Sequence, residues 1–143
     1  MTLPDWTEGV RSPLDEKMGI ELFEITARRS VGRMPVEGNT QPFGYWHGGA
    51  SCVLAETLAS LSAFAEVGPG GRIFGVDINA THHRAAREGW VNAEATALHI
   101  GGRLGTWEVV LTNDAGERVC TARVTCAMQR PRAAEPDRPQ PTG

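Results

Sequence analysis

The 143-residue sequence predicts an α+β domain: one antiparallel sheet of five to six strands wrapped around one long central helix. Two observations lead there. A single stretch of helical periodicity, Gly48–Val67, carries only two charges, as expected of a helix covered on most sides. One β-rich segment precedes it and four follow, separated by short turns.

The elements can be justified in order. Residues 1–19 read as irregular, with a short helix near 14–18. Residues 20–36 alternate as one strand ending at Pro35. In the long helix, Ala50, Val53, Leu54, Thr57, Leu58, Leu61, Phe64 and Ala65 follow the i, i+3, i+4, i+7 rule. Its other face carries Ala55, Ala59, Ser60, Ser62 and Ala63, and its two charges are Glu56 and Glu66. Residues 72–83, 89–100, 104–113 and 117–128 read as four further strands. Between them lie Gly68-Pro69-Gly70-Gly71, Arg87-Glu88-Gly89, Gly101-Gly102 and Asn113-Asp114-Ala115-Gly116, the last closing a hairpin. From Gln129 onward the chain holds Pro131, Pro136, Pro139 and Pro141 and no large apolar residue. It reads as a disordered tail, residues 129–143, behind a single domain at 1–128.

Composition narrows the function classes. A net charge of -3, with both signs dispersed, offers no basic footprint for nucleic acid. The N-terminus lacks the basic and apolar regions of a secretory signal. No uninterrupted apolar run approaches the ~20 residues of a membrane span. Cys52, Cys120 and Cys126 are odd in number and form no CxxC pair, which argues against a disulfide framework or a zinc knuckle. A soluble, reduced, cytoplasmic protein is expected.

Few residues are candidates for chemistry. Glu56 sits mid-helix among apolar neighbours, where an ionised carboxylate is costly unless paired. Two readings stand: a helix edge that reaches solvent, or a general base or nucleophile in a partly dry pocket. Glu66, beside Gly68, reads as a solvated surface residue. His47-Gly48-Gly49 opens the helix, either as a plain loop or as a place where free N–H groups polarise a carbonyl. Glu56 lies eight residues past Gly48, about 12 Å along the axis at ~1.5 Å per residue. The two groups therefore cannot easily serve one carbonyl within one subunit. Antiparallel helices related by a two-fold axis would bring one subunit's Glu56 beside the other's Gly48, so the chemistry requires at least a dimer.

His82 and His83 are adjacent on a strand and face opposite ways. No third ligand supports them, so no metal is expected. Arg84 and Arg87 suit the phosphates of a nucleotide-like group or a plain surface. Cys52, in the first helical turns, reads as a buried structural thiol. No GxSxG elbow, P-loop or GxGxxG is present.

In order along the chain come Gln41-Pro42-Phe43-Gly44, His47-Gly48-Gly49-Ala50-Ser51, Leu54-Ala55-Glu56-Thr57-Leu58 and Asn79-Ala80-Thr81-His82-His83-Arg84. Leu98-His99-Ile100-Gly101 and Trp107-Glu108 continue the series toward Cys120. Over residues 19–128 this resembles the PaaI-like hotdog-fold acyl-CoA thioesterases. Within them it is most similar to the group holding the enterobactin proofreading thioesterase and the 1,4-dihydroxy-2-naphthoyl-CoA thioesterase.

The resemblance implies hydrolysis of an aromatic acyl-CoA, of dihydroxynaphthoyl or hydroxybenzoyl type, or of a mis-acylated carrier protein. No cofactor is implied beyond the coenzyme A of the substrate. Glu56 would be nucleophile or general base, and the Gly48 N–H would polarise the thioester carbonyl with help from Gln41. His47 would shape the turn and the leaving-group side, and His82 would orient substrate or water. Ser60 and Leu61 would line the acyl pocket, with Tyr45, Trp46, His83 and Arg84 also on the substrate. Tyr45-Trp46 stands where relatives tend to carry small aliphatic residues, and the Pro-rich tail has no counterpart. A homotetramer, a dimer of dimers with sites at the dimer interface, is implied. Two rivals remain: dehydratase or isomerase chemistry on an acyl-CoA, and a non-catalytic acyl-CoA-binding protein.

Overall fold

Residues 20–36, expected as one strand, fold as two in the computed structural model, which describes residues 3–10 and 12–132. β1 (Glu21–Ile25) and β2 (Arg29–Pro35) form an antiparallel hairpin. The turn contains neither Gly nor Pro. Thr26 closes it instead: its N–H and hydroxyl both donate to the Arg29 carbonyl, and its hydroxyl oxygen accepts from the Arg29 N–H at 2.9 Å. A side-chain-built turn of this kind leaves little trace in a hydrophobic pattern.

The remaining elements match their expected places closely. After a short 3₁₀ helix at Asp5–Gly9 comes α1 (Pro13–Met18), capped by Ser12, whose hydroxyl oxygen accepts from the Asp15 N–H. Then follow α2 (Gly48–Val67), β3 (Arg72–His82), β4 (Trp90–Ile100), β5 (Leu104–Thr112) and β6 (Arg118–Gln129). The six strands form one antiparallel sheet in the order β1-β2-β4-β5-β6-β3. Gln129 ends β6 and the Arg130 guanidinium pairs with Glu66 at 3.2 Å, so the expected tail does not begin at 129. Glu66 is correspondingly an ion-paired residue, rather than a freely solvated one. Residues 133–143 lie outside the described part.

The sheet curls around α2, and both surfaces explain why. Alternate residues of β5 and β6, among them Trp107, Val109, Leu111, Val124 and Cys126, are buried on the inner face. Against them α2 sets Leu54, Ala55, Leu58, Ala59, Ser62 and Ala63, a stripe of mostly small side chains that lets the sheet approach closely. The buried Ser62 hydroxyl is satisfied by Ser30 of β2, 2.6 Å away.

By length and hydropathy α2 could cross a bilayer, contrary to the expectation from uninterrupted runs, but half of that stretch is buried inside this fold. Nor is α2 covered all round. The face carrying Cys52, Val53, Glu56, Thr57, Ser60 and Phe64 is only partly covered, and Glu56 is exposed. The sequence misread this face because small and apolar residues line it too.

Candidate active site

At the N-terminus of α2, local chemistry fixes every group. His47 is the N-cap, and its Nδ1 accepts from the Gly49 N–H at 2.8 Å. The Gly48 N–H precedes the first intrahelical bonds and meets no acceptor among the described residues. His82, at the end of β3, lies over Gly48: a Cβ built there would stand 2.8 Å from His82 Nε2. A methyl at this position would force the imidazole to shift.

Gln41 is held by its own turn. Its Oε1 accepts from the Phe43 and Tyr45 N–H groups, which leaves its side-chain NH₂ as a donor. His47, Gly48 and His82 thus gather at one helix end, with Gln41 in the turn that leads into it, a set of donors and imidazoles suited to a carbonyl developing negative charge.

Two turns along α2 lies a second cluster. Glu56 packs against β3 where the strand has a glycine: a Cβ on Gly75 would fall 2.5 Å from Glu56 Oε1. The register of β3 slips between Gly75 and Asp77, a bulge beside the carboxylate. Glu56 borders an open cleft of about 440 Å³, lined by Val53, Ser60, Leu61 and Phe64 of α2, Leu22 of β1 and Ile73 of β3. Leu14 and Asp15 of α1 close its far wall. Ser60 and Leu61 line the same cleft as Glu56.

Gly75, Ile73 and the α1 wall were not anticipated. The one available signal was an isolated glycine in a strand, which marks a bulge or a close approach.

Other expected substrate residues lie elsewhere. Trp46 is a core residue, 7% exposed, and its Nε1 donates to the Ser51 hydroxyl at 2.6 Å, so it is not free to line an acyl pocket. The bulk of its ring is packed inward. Tyr45 lies beneath the Arg87 guanidinium, 4.5 Å from ring centroid to Cζ, and also accepts a hydrogen bond from it. His83 Nε2 bonds the Thr121 hydroxyl at 2.9 Å, and Arg84 pairs with Glu117 at 3.3 Å. His82 and His83 do diverge, as strand geometry requires.

Burial, with the Glu56 charge adding to it, pushes the Cys52 and Cys126 thiols above the ordinary value. Neither is a poised thiolate.

The thioesterase superfamily profile matches residues 43–120, which include His47, Gly48, Glu56, Gly75 and His82. The chain is 39% identical over 120 residues to the 1,4-dihydroxy-2-naphthoyl-CoA hydrolase of Listeria monocytogenes, covering 83% of this chain and 98% of that one. It is 40% identical over 116 residues to the proofreading thioesterase EntH of Cronobacter turicensis, covering 80% and 85%. A Staphylococcus aureus thioesterase solved with a glutamine replaced by alanine superposes with a TM-score of 0.80 at 31% identity, covering 82% of this chain and 99% of that one. The same protein was also solved with a glutamate replaced by alanine. Those two residues stand as far apart in that chain as Gln41 and Glu56 do here. The chain belongs to the thioesterase superfamily, as a hotdog-fold thioester hydrolase.

Proposed function

We propose that the chain hydrolyses the thioester of an aromatic acyl-CoA, of dihydroxynaphthoyl or hydroxybenzoyl type. The carrying observation is Glu56, a carboxylate at the edge of an apolar cleft of about 440 Å³, a volume within the usual ~300–1,000 Å³ of small-molecule sites. As nucleophile, Glu56 attacks the thioester carbon, expels the coenzyme A thiolate and forms an anhydride that water opens. As general base, it takes the proton of the attacking water. In either role the negative charge on the carbonyl oxygen needs donors, and the Gly48 N–H and the Gln41 side-chain NH₂ supply them. His82 orients the substrate or the water over Gly48. No metal or organic cofactor takes part.

Within one chain, Glu56 and Gly48 remain about 12 Å apart along α2. The working unit is therefore a two-fold dimer in which each Glu56 meets the other subunit's Gly48, and two such dimers form a tetramer. β3 supports this reading. It ends the sheet with its outer edge unpaired among the described residues, and Phe74 and Val76 are 58% and 55% exposed on it. A cytoplasmic setting accords with three free cysteines.

A second reading keeps the chemistry and changes the carrier, with the acyl group delivered on a carrier protein. The 40% identity to a proofreading thioesterase favours it. Thiol release over a panel of aroyl-CoA, fatty acyl-CoA and aroyl-carrier-protein substrates tests both. Release from aroyl-CoA at the highest kcat/KM supports the first, and a carrier-protein preference installs the second. Release from fatty acyl-CoA alone overturns both.

A further inference from the structure

Among the groups lining the cleft, one has no part in the chemistry above. Asp15 reaches the cleft from α1, outside the region where the Gln41, His47-Gly48 and Glu56 motifs lie. Its Oδ1 accepts a hydrogen bond from the Thr57 hydroxyl at 2.9 Å, and Thr57 is the residue next to Glu56. Ser12, the cap of α1, also hydrogen-bonds its side chain.

A carboxylate offers about four acceptor positions. Among the described residues two neighbouring hydroxyls leave it under-used, in a cleft whose lining is mainly Val10, Leu14, Leu22, Val53, Leu61 and Phe64. Burial outweighs both hydrogen bonds and pushes the Asp15 carboxyl above the ordinary carboxylate value. The Thr57 hydroxyl donates to Asp15, and Glu56, exposed beside Gly75, is the carboxylate that the chemistry above uses. With Glu56 engaged at the thioester, an apolar pocket with one further under-satisfied acceptor suits an acyl group that is mostly hydrocarbon and carries one donor.

We propose that Asp15, held in place by Thr57, is a specificity-determining residue that accepts a hydrogen bond from a ring hydroxyl of the acyl group. Asp15 is thereby the residue that tells the hydroxyaroyl thioesters proposed above from plain aroyl ones. This rests on the aromatic thioesterase reading above.

A simpler role for Asp15 would be to tie α1 to α2, so the test must read selectivity rather than activity. Thiol release is measured with benzoyl-CoA, 3-hydroxybenzoyl-CoA and 4-hydroxybenzoyl-CoA on the full chain, Asp15→Asn and Thr57→Val. The wild type is expected to prefer one hydroxylated substrate. Asp15→Asn lowers the ratio of its kcat/KM to that of benzoyl-CoA by about 10-fold or more, the usual weight of a hydrogen bond to a charged group. Thr57→Val, which leaves the carboxylate but frees it, lowers the same ratio by less. Wild-type turnover of these substrates with a ratio that neither variant moves overturns the role of Asp15 and leaves the thioesterase reading standing. Failure of the wild type to hydrolyse any of the three, and dihydroxynaphthoyl-CoA beside them, overturns both.

Discussion

The two clusters on α2 are built in opposite ways. At the helix start, the contacts lie mostly between residues 39 and 51: His47 on Gly49, Gln41 on Phe43 and Tyr45, and Trp46 on Ser51. From afar come His82, Ala86 on the Trp46 N–H and Arg87 on Tyr45. Around Glu56, two turns on, α2 supplies Val53, Ser60, Leu61 and Phe64, and the rest comes from distant chain: Gly75 and Ile73 of β3, Leu22 of β1 and Asp15 of α1. The first cluster is preorganised by local hydrogen bonds. The second is positioned by the packing of the whole domain. Substitutions should therefore act differently at each.

The largest effect is expected at Glu56 itself. Glu56→Ala should reduce turnover by about 100-fold or more. Because the side chain is exposed, its thermal midpoint should stay close to wild type. Near-normal turnover would remove the carboxylate from the mechanism.

Gly75→Ala comes next. The added methyl would meet Glu56 Oε1 at 2.5 Å and push the carboxylate aside. A loss of about 10-fold or more in kcat is expected, since a displacement of about 1 Å in a reacting group can cost up to 100-fold. Unchanged kcat would mean that β3 does not position Glu56.

The local cluster is sharpened by Trp46→Phe. It keeps the ring in the core but deprives the buried Ser51 of its donor, at a cost of about 1–3 kcal/mol in chemical denaturation. Stability should fall more than kcat/KM, the reverse of Gly75→Ala.

The smallest effect concerns pH. Burial raises the Asp15 carboxyl, so its ionisation costs the folded state more than the unfolded one. That part of the stability is present below the ordinary carboxylate range and is lost as pH rises through the raised value. Asp15→Asn removes the dependence, so its thermal midpoint should gain on wild type across that rise. Parallel curves for the two proteins would show that Asp15 is not desolvated.

The same contrast explains what the sequence disclosed. The helix and the last four strands were legible to within a residue or so because periodicity and glycine-rich turns are local signals. The helix-start cluster was legible too, because its contacts span a short, recognisable motif. Glu56 was visible as an oddity, but its partners were not, since nothing local announces that Gly75 will face it. Trp46 was misjudged because the pattern could not tell whether the ring turns toward the cleft or the core. The β1–β2 turn escaped because Thr26 does the work usually left to glycine.

The spacing of the two clusters along one rigid helix also has a genetic consequence. Glu56→Ala keeps a sound helix start, and Gly48→Ala, whose methyl would collide with His82, keeps a sound carboxylate. Under the two-fold arrangement, a mixed dimer of these inactive chains contains one site with both defects and one with neither. Unfolding and refolding them together should restore about a quarter of wild-type activity, because half the dimers are mixed and each has one intact site. Two lesions in the same protein would behave as though they lay in different genes.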